Sequence, residues 1–182
     1  LIGRQLGDGM ARKKDSDVLA LYSGFSTDIG AAGRSMSLAN VSAAVAYAKG
    51  NNFGSQVYIV QHPFAVWDIA NTAVTASSTY PVPAGWSADL LSNFFSGLRP
   101  INGVPIFEDG NITIDASTDA VGVCADKSAL AVLKSVDTRT ERQRDASLRA
   151  TEVVITADYG VFELDDSKGV ALTLDAGTPA TS

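Results

Sequence analysis

ATEVVITADYGVFEL, residues 150–164, is the stretch that decides the fold class. β-Branched and aromatic residues dominate it, and such side chains favour extended chain. Moving back toward the N-terminus, the strand signals continue. Residues 120–124 (AVGVC) read as a short strand, as do residues 103–107 (GVPIF). The segment 108–111 (EDGN) has turn chemistry, and Ile112 and Ile114 extend the period of two beyond it. Asp126 is expected to cap a brief helix carrying Leu130 and Leu133. Toward the C-terminus, residues 165–169 read as a turn, residues 170–174 as a last strand, and residues 176–182 as a small, polar, flexible tail.

Before residue 100 the period changes. Ser37 can cap a helix in which Leu38, Val41, Val45 and Ala48 recur at spacings of three and four, with Gly50 as its stop. Residues 2–22 read as the end of a helix whose Leu6, Met10, Leu19 and Tyr22 share a face, with residues 12–17 solvated. Gly24 is expected to stop it in a left-handed conformation. Residues 56–61 (QVYIVQ) read as a buried strand, and Pro63 starts a helix through Phe64, Trp67, Ala70 and Val74. Residues 75–86 read as a loop, and Ser87 opens a short helix ending at Gly97. Helices before residue 97 and strands after residue 101 give an α+β fold.

The chain has 182 residues, of which 46% are hydrophobic and 19% charged, so it can bury a core. Asp and Glu outnumber Lys and Arg, 20 to 14, and the pI is about 4.6. Gripping nucleic acid by net charge is therefore disfavoured, although the basic residues of 134–149 leave a local nucleic-acid site as one reading. No apolar run approaches the ~20 residues a membrane helix needs. The chain starts at Leu1 without a signal-peptide pattern and reads as an internal segment or a processed product.

Residues that could do chemistry are few. His62 is the single histidine and the one candidate base near neutral pH. It stands at a strand-to-helix corner, and no G-x-S-x-G pattern supplies a nucleophile. A small hydrolase using His62 is the enzymatic alternative. Cys124, the single cysteine, lies in an apolar strand with no cationic neighbour in sequence, and reads as core. The glycines at 7, 9, 30 and 33 match no phosphate-binding pattern, and the acidic turn at 163–166 lacks calcium-loop spacing. No catalytic, cofactor or metal residue is assigned, and the expectation is a protein that is not an enzyme.

The surface is richer in contact candidates. Lys134, Arg139, Arg142, Arg144 and Arg149 interleave with Asp137, Glu141, Asp145 and Glu152. Alternating signs on extended chain suit pairing with complementary charge on a neighbour or an adjacent strand. The loop residues Tyr80, Pro81, Pro83 and Trp86 are large, rigid groups of the kind that anchor partners. The interface candidates are thus Arg139, Glu141, Arg142, Arg144, Asp145, Arg149, Glu152, Tyr80 and Trp86.

The order of motifs carries more than any one of them. A helix tail with DSDVLALYSGFS (15–26) precedes a Gly-rich loop and the 37–49 helix. Then come YIVQHPF (58–64), GVPIF (103–107), AVGVCADKSAL (120–130) and a charged run leading to ADYGV (157–161). This order resembles the C-terminal two-thirds of a tailed-bacteriophage major capsid protein of the Hong Kong 97-type fold. Encapsulin nanocompartment shells resemble the same fold.

The resemblance implies an axial domain plus part of a peripheral domain. Residues 1–23 would be the end of a spine helix, 24–133 the axial domain, and 134–175 strands returning to the peripheral domain. It also implies a shell subunit that self-assembles through hexamers and pentamers of identical copies into an icosahedral capsid. Double-stranded DNA would be enclosed and touched only non-specifically, with no membrane partner. The place of action would be the virion, after assembly in the host cytoplasm. The alternative is an encapsulin-like compartment shell.

Overall fold

The computed structural model describes residues 2–74 and 103–179. The expected loop at 75–86, with Tyr80 and Trp86, and the helix from Ser87 to Gly97 lie outside the described residues.

Three helices and six strands form the described chain. Helix α1 spans Ile2–Leu19 and runs into a 3-10 turn, Ala20–Gly24. Gly24 ends that turn but does not take a positive φ, because the chain leaves it through Phe25 in extended conformation. Helix α2, Leu38–Gly50, starts as its sequence suggests. The Ser37 side chain accepts from the Asn40 amide, and the Asn40 side chain accepts from the Ser37 amide, so two otherwise unpaired donors are satisfied. Strand β1 is Val57–Gln61, and α3, Pro63–Val74, follows with proline in its first turn.

The remaining strands are β2 (Ile106–Glu108), β3 (Asp119–Asp126), β4 (Leu130–Asp145), β5 (Ala150–Glu163) and β6 (Gly169–Asp175). They build two sheets. One is four-stranded in the order β2-β1-β3-β6, with β1 and β2 parallel and the other pairs antiparallel. The other is the antiparallel ribbon β4-β5. Strands in the range 134–175 therefore belong to both sheets, because β6 pairs with β3 and not with the ribbon.

The four-stranded sheet is the core. On one face Val41, Ala44, Val45 and Ala48 of α2 and Ala65, Val66 and Ile69 of α3 pack with Ile59, Cys124, Val170 and Leu172. On the other, Tyr22 and Phe25 cover Val123, Ala125 and Ala171. Gly122 of β3 sits where a Cβ would collide with the Val60 carbonyl and the Gln61 side chain, so only glycine fits there. The outer edge of β6 is paired as well. Ile29 donates to the Ala171 carbonyl (2.9 Å) and Ala171 donates to the Thr27 carbonyl (2.8 Å).

The brief helix expected after Asp126 is absent. The Asp126 carboxylate accepts from the Ser128 amide (3.2 Å) and hydroxyl (2.6 Å), closing a tight turn. Leu130 and Leu133 then enter β4 opposite Glu163 and Gly160. The same Asp-to-Ser geometry that opens helices also closes hairpin turns, and here pairing with β5 supplies the backbone partners.

Candidate subunit interface

The ribbon carries seven of the interface candidates, and its register decides which of them share a side. Residues directly opposite in an antiparallel pair project to the same face, and neighbours along a strand alternate. Arg142 lies opposite Val153, Thr140 opposite Ile155, and Arg144 opposite Thr151. These are one face. Glu141 lies opposite Val154, Gln143 opposite Glu152, Arg139 opposite Thr156, and Asp145 opposite Ala150. These are the other. Along β5 the first set is half-buried at Val153, Ile155, Ala157 and Tyr159, and the second is exposed at Glu152, Val154, Thr156 and Asp158. At the tip Asp145 accepts from the Ser147 amide (2.8 Å), which turns the chain toward Arg149 and β5.

The first face is the one that meets α1. The Tyr159 hydroxyl donates to the Asp17 carboxylate (2.6 Å), and Lys14 donates to the Thr138 hydroxyl (2.7 Å) while its ammonium stands 5.5 Å from the Tyr159 ring centroid. Lys13 pairs with the same Asp17 carboxylate. The Lys13 hydrogen bond, then the Tyr159 one, hold Asp17 below the ordinary carboxylate pKa, and the bond to Asp17 raises the Tyr159 phenol. Residues 12–17, read from sequence as merely solvated, thus contain the anchor of the ribbon. A helical spacing of four between Lys13 and Asp17 is the local signal, but the ribbon partners of Lys14 and Asp17 lie more than a hundred residues away in sequence.

Ion pairing inside the ribbon is sparse. Arg139 and Glu141 approach to 3.6 Å with both side chains mostly exposed, a contact of ~0–1 kcal/mol. Among the described residues Arg142, Arg144 and Arg149 have no ion-pair partner. Large apolar side chains are also uncovered there: Leu133 is 63% exposed, Leu148 75% and Val154 41%. Tyr80 and Trp86 lie outside the described residues.

The residues weighed for chemistry sit elsewhere. His62 is buried at the end of β1, where its Nδ1 accepts from the Phe64 amide (3.2 Å) and its ring meets that of Phe64 edge-on. Burial lowers its pKa, with Asp109 acting weakly the other way. Among the described residues no hydroxyl or thiol hydrogen-bonds to it. Cys124 is fully buried against α2, and burial pushes its thiol up to about 12, which leaves it protonated at neutral pH. Among the described residues no three His, Cys, Asp or Glu side chains converge to hold a metal, and no helix is long and apolar enough to cross a membrane.

No protein-family model and no curated protein matches the sequence. Solved structures do match. A structure from Mycobacterium phage Che8 superposes with a TM-score of 0.68 at 17% identity, covering 94% of this chain and 61% of the other. The acid-stable capsid structure of Helicobacter pylori bacteriophage KHP30 gives 0.68 at 12% identity, covering 95% and 68%. The holo-SrpI encapsulin complex from Synechococcus elongatus PCC 7942 gives 0.65 at 11% identity, covering 98% and 66%. The chain spans about two thirds of the length of these proteins. At these identities the likeness is one of fold, and the fold is the α+β Hong Kong 97 type.

Proposed function

We propose that this chain is the folded body of a structural shell subunit, a phage major capsid protein that self-assembles into an icosahedral capsid around double-stranded DNA. The observation that carries the reading is the shared fold over 94% of the chain with the Che8 phage structure and 95% with the KHP30 capsid. In such a shell one subunit type repeats the same contacts through hexamers and pentamers, so individually weak contacts sum over many copies. Within this reading, α1 with the β4-β5 ribbon is the peripheral part and the β2-β1-β3-β6 sheet with α2 and α3 is the axial part. The formal net charge of −6 suits a wall that must not adhere to packed phosphates, so contact with DNA is non-specific. The mature protein resides in the virion after assembly in the host cytoplasm. Its role is mechanical and needs no cofactor.

The encapsulin match over 98% of the chain supports a second reading, a protein compartment with the same wall. Electron microscopy of the complete gene product tests both. Closed particles are expected, and dispersed monomers or unordered aggregate would overturn them together. Particles purified from infected cells with nuclease-protected double-stranded DNA inside support the capsid; particles filled with protein support the compartment.

A further inference from the structure

The two sides of the distal ribbon carry opposite charge. On the α1 side Arg142 and Arg144 stand exposed beside Thr140 and Thr151, with no carboxylate among the paired residues from 140 to 144 on that face. On the opposite side Glu141, Asp145, Glu152 and Asp158 stand against Arg139 alone. The exposed Val154 lies at the centre of that acidic side. In sequence the signs merely alternate. The strand period of two sorts them, and the register shifts between Lys134 and Arg139 fix which residues of β5 each charge joins.

Opposite sides of one ribbon cannot neutralise each other, because the sheet lies between them. Among the described residues nothing else pairs with Arg142 or Arg144. We infer that the ribbon is a self-complementary head-to-tail connector: Arg142 and Arg144 of one copy dock on the Glu141–Glu152 side of the ribbon of a second copy. This rests on the shell reading and specifies one of its contacts. The partner is a second copy because each copy carries both halves, and a contact between unlike patches is the kind that closes rings. Val154 supplies the apolar centre, with the charges around it setting orientation and excluding a like-faced approach.

Charge reversal on the complete gene product tests the inference. Arg142→Glu with Arg144→Glu makes both sides acidic, and Glu141→Arg with Glu152→Arg makes both basic. Each pair is expected to lower particle yield by roughly tenfold or more, since like charges then face each other across the contact. All four substitutions together reverse both sides, restore complementarity and return yield toward wild type. Circular dichroism should show every variant folded, as all four side chains are exposed. Particles from either double variant at wild-type yield, or a fourfold variant as defective as the doubles, would overturn the head-to-tail contact while leaving the shell reading intact. Wild-type protein that forms no particles would overturn the shell reading, and this inference with it.

Discussion

Gly122 shows how little room separates the middle strands of the core. Its missing side chain lets the Val60 carbonyl and Gln61 approach β3, and Gln61 uses that position to donate to the Leu172 carbonyl (3.0 Å) while accepting from the His62 amide (2.9 Å). Gly122→Ala is expected to destabilise the fold by about 1–3 kcal/mol, because the obstacle is a backbone carbonyl that cannot rotate away. Urea unfolding would measure it, and an unchanged midpoint would contradict the packing described. His62 belongs to the same corner. At this strand-to-helix corner its Nδ1 accepts from the Phe64 amide, so the ring satisfies a backbone donor at the start of α3. The Gln61 bridge was not legible, since it joins residues 111 apart.

At the scale of elements, legibility followed the range of the interactions. Helix α2 was readable because its cap, its stripe and its stop are all local. The turn at Asp126 was misread because an Asp-x-Ser pattern serves a helix start and a hairpin turn equally, and the choice is made by β5, some thirty residues later. The ribbon's length was partly visible in the β-rich run at 150–164. Its two-sided charge was not, because register depends on irregularities near Ser135 and Asp137 that leave no compositional mark. The seat of the ribbon on α1 is likewise long-range. Tyr159→Phe removes the donor to Asp17 and should speed amide hydrogen exchange around residues 153–159, leaving the core sheet unaffected. Equal exchange in the variant would show that the ribbon is held by other contacts.

For the whole molecule, the division of labour is between a sheet buried on both faces and a ribbon exposed for much of its length. If copies join through the ribbon's charges, assembly must weaken with ionic strength, because ~1 M salt shortens the screening distance to ~3 Å. Particle formation by light scattering in rising sodium chloride is expected to fall, and a flat response would point to apolar contacts instead. The seating of β6 has a consequence for biosynthesis. That strand fills the gap between β3 and the Thr27–Ile29 segment, so residues near both extremes of the described chain meet side by side. A nascent polypeptide cannot close its central sheet until residue 175 has cleared the ribosomal exit tunnel. On the shell reading, only fully translated, closed copies would then be competent to join a neighbour.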